Sequence, residues 1–226
     1  MAPPRRLTLG ELRYHKKPNL TTTRRWSTEF STNMLMSVWN GIDLLKSDVF
    51  TVDPREAEDD LERSITELLE PRIKRFISPH APYYLQHATG ERESRSAAPA
   101  QPPLYDLAFV FWEDETFKWP LEAKVLKSDS EAAAAEYVKS LIDNFLTFKY
   151  APFASEAAML GYLLSGKPGT AFDSIGKRGA WTLTPHPEFT SRDHKTSDHT
   201  RTVPAVKLGT YPPELRCHHL VIMIGQ

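Results

Sequence analysis

The stretch Leu104–Lys127, LYDLAFVFWEDETFKWPLEAKVLK, constrains this chain more than any other. Two apolar runs flank the acidic segment Glu113-Asp114-Glu115, so the stretch reads as two β-strands joined by a turn. Successive strand residues point to opposite faces, so Glu122 and Lys124, two apart, project together. Leu121, Ala123 and Val125 alternate with them, which makes one face apolar and the other polar. A polar face on a strand inside a domain needs a wet cleft or a partner. With the strands paired as a hairpin, Asp106 arrives beside Glu122 and Lys124. Two carboxylates can hold a hard divalent cation. A cation with a lysine can activate water and stabilise a phosphoryl-transfer transition state. The bland alternative is two surface acids on an amphipathic hairpin, with Lys124 in a structural ion pair.

Periodicity places the other elements. Phe30, Met34, Leu35, Val38, Ile42 and Leu45 recur at helical spacing and predict a helix over 30–46. Asp53-Pro54 reads as an N-cap followed by proline at the first helical position. The helix it opens carries Leu61, Ile65, Leu68 and Leu69, and Pro71 is expected to end or kink it. A strand is expected over 83–88, then a flexible loop, TGERESRSAAPAQPP, to Pro103. After the hairpin, 131–148 predicts a helix and 155–164 a second one. Residues 181–184 and 219–224 read as strands, and 186–213 as a long polar loop. No internal repeat is apparent.

The chain has 226 residues, enough for one domain with tails, and its 18 prolines among 40% hydrophobic residues imply a core with long loops. The formal net charge of −1 excludes a uniformly basic nucleic-acid binder. The charge is uneven, however: seven Lys and Arg against one Glu in residues 1–25 make a basic arm, able to grip phosphates or simply solubilise. The single cysteine, Cys217, excludes an intrachain disulfide and a cysteine-based zinc site, and suits a reducing cytosol. The first residues lack an apolar core of signal-peptide type, and no apolar run spans a bilayer. A cytoplasmic protein is therefore expected.

The trio Asp106, Glu122 and Lys124 resembles the Asp…Glu-X-Lys signature of the PD-(D/E)XK nuclease superfamily. Tyr105 stands where many members carry proline, with Pro102-Pro103 just upstream. The resemblance implies a restriction-endonuclease-like α/β fold with an αβββαβ core, a central mixed sheet flanked by helices, over residues 26–226 behind a flexible arm of 1–25. It implies a metal-dependent endonuclease using Mg²⁺ or Mn²⁺, with Asp106 and Glu122 on the metal and Lys124 beside the attacking water. DNA is the expected substrate and RNA the alternative. With no separate DNA-reading domain evident, a targeting partner as in bacterial defence systems is expected, and a homodimer is compatible. A silent nucleic-acid- or protein-binding subunit with the same fold is the other reading. Many members add a helix glutamate; Glu58 fits that role on the Leu61/Ile65/Leu69 face, with Glu62 as its rival. On the helix after the hairpin, Tyr137 reads as core with a wet hydroxyl and Lys139 as solvated.

Outside the trio, His199 and Arg201, near His194 and Lys195, form a candidate phosphate or nucleobase contact, or belong to a mobile surface loop. A zinc site drawn from His186, His194, His199, His218 and His219 lacks recognised ligand spacing. Gly166-Lys167-Pro168-Gly169 lacks the spacing of a nucleotide-binding loop.

Overall fold

Alternating polarity across Leu104–Lys127 does build a hairpin, and helices cover both of its faces. The computed structural model describes residues 20–47, 58–90, 102–128 and 130–224, the side chains of residues 20–28 and 58–59 excepted. In chain order the elements are helix α1 (Leu20–Ser47), helix α2 (Glu58–Lys74) and strands β1 (Tyr83–Thr89), β2 (Tyr105–Phe111) and β3 (Lys118–Lys127). Helix α3 (Glu131–Ser140) follows, with a π-helical continuation over Leu141–Leu146. Then come β4 (Glu156–Ser165), α4 (Pro168–Gly179), β5 (Thr184–Pro185), β6 (His194–Thr200), a 3-10 turn at Ala205–Lys207 and β7 (Glu214–Met223).

The strands form one mixed sheet in the order β1-β2-β3-β4-β7-β6-β5. β1, β2 and β3 make an antiparallel meander. The Asp114 carboxylate shapes its second turn by accepting the Thr116 N–H at 3.1 Å and the Thr116 hydroxyl at 2.6 Å. β4 runs parallel to β3 and β7 parallel to β4, and β6 and β5 close the far edge antiparallel. Parallel neighbours need crossovers, and α3 supplies the one from β3 to β4. One sheet face packs Leu107, Phe109, Trp119 and Leu160 against Met34, Val38 and Ile42 of α1 and Ile65 and Leu69 of α2. The other packs Val110, Met159 and Val221 against Tyr137, Leu141 and Phe145 of the α3 segment and Phe172 and Ile175 of α4.

Several expectations are corrected. Residues 155–164 form central strand β4, not a helix: Ala157–Leu163 is buried on both faces, and a continuous apolar run carries no period to separate the two forms. Pro168, expected to lie in a break, is instead an early residue of α4. Helix α2 continues through Pro71 to Lys74. The polar stretch 186–213 contains β6, whose pairing with β7 was hidden by its lack of apolar residues. Strand β7 begins at Glu214, earlier than its apolar end suggested. The Asp53-Pro54 cap, most of the loop before Pro103 and residues 1–19 of the expected arm lie outside the described residues, and 20–25 belong to the backbone of α1. Among the described residues, no helix is long and apolar enough to cross a membrane.

The two helices on the first face touch at Gly41. A Cβ there would meet Ile73 Cγ1 at 2.7 Å and the Ile73 backbone nitrogen at 2.8 Å. Gly41→Ala should therefore destabilise the fold by about 1–3 kcal/mol, despite the better helix propensity of alanine, as read from the denaturant midpoint.

Candidate active site

The site forms where β2 and β3 diverge. Their ladder runs from Val110↔Lys118 to Leu107↔Leu121. One residue beyond, Asp106 stands across from Glu122. Its Oδ2 accepts the Ala123 N–H at 2.6 Å, taking the place of a further backbone partner. Glu122 is 6% exposed. Its Oε1 accepts from the Ser140 hydroxyl at 3.4 Å and lies 3.7 Å from Lys124 Nζ. Among the described residues, its Oε2 is buried without a hydrogen-bond partner. Lys124 donates to Glu62 Oε1 of α2 at 2.6 Å. A cleft of about 320 Å³, lined by Glu62, Arg63, His87, Leu104, Tyr105 and Asp106, borders this group at Asp106 and Glu62.

The electrostatics follow from crowding carboxylates out of water. Burial, then the neighbouring Asp106, push the Glu122 carboxyl up from 4.5 to about 8, with Lys124 and Ser140 pulling the other way. Asp106 is also raised, by burial first, against the lowering effects of the Ala123 N–H, Lys124 and His87. Burial alone would lower Lys124, but Glu122 and Glu62 together outweigh it and hold its pKa above the ordinary value. Lys124 is thus a firm ammonium, suited to neutralising charge and unsuited to accepting a proton at neutral pH.

The structure therefore brings Asp106, Glu122 and Lys124 together. The acid that joins them from α2 is Glu62; Glu58 opens the same helix, but its side chain lies outside the described residues. Glu62 flanks the Leu61/Ile65 stripe and sits one turn before Thr66, whose hydroxyl meets the Tyr162 hydroxyl at 2.9 Å inside the core. That flank position was the available signal. Sequence reasoning missed Ser140, which depends on how α3 lies over β3, and Tyr150. The Tyr150 hydroxyl donates to Leu104 O at 2.7 Å, two residues before Asp106. Tyr137 is core as expected, but its hydroxyl is not wet: it meets His219 Nδ1 at 3.0 Å. Lys139 is exposed, near Glu136.

The expected nucleic-acid contact at Arg201 is corrected. Arg201 is 2% exposed. Its guanidinium donates to the carbonyls of Ala151 at 3.0 Å, Ala154 at 2.8 Å and Pro212 at 2.7 Å, and lies over the Phe148 ring at 4.3 Å. It is a structural staple, out of reach of a ligand. His199 is half-buried, bonded through Nε2 to the Ser197 hydroxyl at 2.6 Å and set edge-on to Trp181. Cys217 is buried, and burial raises its thiol pKa, which suits packing and not nucleophilic attack. A second group of ligating side chains, His186, His194 and His218, collects near the other edge of the sheet. No family model, curated protein or solved structure matches the chain.

Between pH 4.5 and about 8 Glu122 holds its proton more tightly in the folded protein than in the unfolded chain, because its pKa is raised on folding. The Glu122 contribution to stability without divalent cations should therefore fall as pH rises through that window. It runs against the opposite contribution of the buried histidines His194 and His219, whose lowered pKa values favour the fold as pH rises. Glu122→Gln should flatten the fall and be more stable than wild type near pH 8 by on the order of 1–3 kcal/mol, as measured by denaturant melts across pH. Arg201→Lys should cost about 3 kcal/mol or more in the same melts, since several buried carbonyls lose their donor at about 1–3 kcal/mol each.

Proposed function

We propose that this chain is a metal-dependent nuclease of the PD-(D/E)XK type that hydrolyses phosphodiester bonds in DNA. The observation that carries the proposal is the convergence of Asp106, Glu122 and Lys124 at the divergence of β2 and β3, with Glu122 Oε2 buried and unpartnered among the described residues. The element order α2-β1-β2-β3-α3-β4, with β4 parallel to β3, is also the order of an αβββαβ core.

The residues suit a hard cation. Asp106 and Glu122 offer carboxylate oxygens and no soft donor, the set preferred by Mg²⁺ and Mn²⁺. Two carboxylates buried side by side, one of them protonated near neutral pH, are a site short of positive charge. When bound, a divalent cation supplies Lewis-acid activation of water and neutralises phosphate charge. The protein's own groups do the rest. The Ala123 N–H fixes the Asp106 carboxylate, and Glu62 holds the Lys124 ammonium at the cleft. Lys124, remaining charged, stabilises the negative charge that builds on phosphate oxygens in the transition state. Ser140 orients Glu122 from the rear.

Incubation of purified protein with supercoiled plasmid and with RNA, in Mg²⁺, Mn²⁺ or chelator, tests this reading. Metal-dependent plasmid cleavage is expected, reduced by about 10²-fold or more in Lys124→Ala and in Asp106→Asn. Both variants retaining full activity would sink the assignment. Cleavage of RNA alone would redirect it to RNA. A folded protein that cuts neither substrate and binds no Mn²⁺ through Asp106 would mark a silent binding subunit.

A further inference from the structure

The three histidines at the far edge lie on three separate segments that strand pairing brings together. His186 follows β5, His194 opens β6 and His218 lies in β7. In the β6–β7 ladder His194 faces Leu220 and Thr196 faces His218, so the two histidines are diagonal neighbours on one face. The His186 N–H donates to the His194 carbonyl at 3.1 Å, which carries the third ring alongside. All three are buried, at 9%, 2% and 2% exposure. One ring nitrogen of each lies within 4.8 Å of the other two.

We propose that His186, His194 and His218 form a binding site for a first-row transition cation of the Zn²⁺ class, clamping the β5–β6 hairpin to the core. The His194 Nε2 and His218 Nδ1 atoms are 3.2 Å apart. Two nitrogens on a tetrahedral Zn²⁺ are about 3.3–3.4 Å apart, given Zn–N bonds of about 2.0–2.1 Å. Behind His218, its other nitrogen lies 3.4 Å from Glu156 Oε2, the carboxylate partner that metal-bound imidazoles characteristically have. Three imidazoles select against Mg²⁺, so this site is chemically separate from the carboxylates of the cleft.

The competing arrangement is a metal-free relay. Trp39 Nε1 donates to His194 Nδ1 at 3.3 Å, and the chain continues from His194 to His218 to Glu156. That relay has no use for His186, whose Nδ1 accepts the local Glu188 N–H at 3.2 Å. It also makes an opposite prediction at Trp39. A His194 bound to metal through Nε2 carries its proton on Nδ1, so the Trp39 N–H must give way. Trp39→Phe therefore tightens metal binding, whereas in a pure relay it removes a partner and nothing binds.

The test uses the full chain carrying Asp106→Asn, so that the cleft carboxylates do not contribute metal. The protein is stripped with chelator, reloaded with Zn²⁺, freed of excess by gel filtration and assayed for metal content, melting temperature and tryptophan fluorescence. One zinc per chain, a raised melting temperature and a fluorescence change are expected. His194→Gln and His218→Gln should lose the zinc, Glu156→Gln should weaken it about 10–100-fold, and Trp39→Phe should bind more tightly than the parent. Substoichiometric zinc in a folded parent, or zinc kept in both histidine variants, overturns the proposal. Should the histidine variants not fold, Co²⁺ loading of the parent decides. The intense visible absorption of a tetrahedral nitrogen-liganded ion supports the site, and its absence overturns it. Neither outcome bears on the nuclease reading, whose residues lie elsewhere.

Discussion

The Ala123 N–H donates to Asp106 Oδ2 at 2.6 Å at the point where backbone pairing between β2 and β3 stops, and the candidate site depends on that bond. β3 is held on its other side by β4, in register from Leu121↔Ala158 onward. Its β2-facing side would carry an unpaired buried N–H once the ladder ends, at a cost of about 1–3 kcal/mol. The Asp106 carboxylate closes that gap and is fixed by it. The same divergence opens the cleft beside Glu62 and His87. The candidate site and the end of the β2–β3 ladder are therefore one feature of the fold.

The site then concentrates carboxylates in a buried setting. Asp106, Glu122 and Glu62 gather around the Lys124 ammonium. Dispersing these acids into water would be cheaper, since burial raises both Asp106 and Glu122, and repulsion from Asp106 and Glu62 raises Glu122 further. The packing holds them in place nonetheless: α2 presents Glu62, and α3 presents Ser140, each from a helix anchored by a buried apolar face. Stability is given up locally for an arrangement that the proposed cation would complete, a pattern expected of functional sites.

The hairpin and its trio were legible because their information is local. Period-2 alternation, a turn and the spacing of Glu122 and Lys124 are all written within two dozen residues. Helices α1 and α3 were legible for the same reason. β4 was not, because a strand between two parallel neighbours is apolar on both faces and looks like a buried helix turn. β6 failed in the opposite sense: His194–Thr200 is polar throughout, and its strand identity comes from pairing with β7. Arg201 shows the limit of reading charge as exposure. Nothing in its neighbours reveals that its donors are taken by carbonyls some 50 residues away. The grouping of His186, His194 and His218 is likewise a product of topology, since no short-range spacing encodes it.

Arg201 also shows how the far edge of the sheet bears on the cleft. Its guanidinium grips Ala151 and Ala154 in the segment that succeeds the π-helical turn. That segment carries two ties to the start of β2: the Ala151 N–H donates to the Tyr105 hydroxyl at 3.2 Å, and the Tyr150 hydroxyl donates to Leu104 O. Tyr105 and Leu104 immediately precede Asp106. The π-helical turn begins just after Ser140, the residue that reaches Glu122. A wider turn at the end of a helix shifts the register of the residues beyond it, and such turns recur at functional sites. Here the turn lets one segment hold Glu122 at its start and the approach to Asp106 at its end, with Arg201 fixing the span between. The position of the two carboxylates is thus set by long-range packing, even though their identity was visible in a single hairpin.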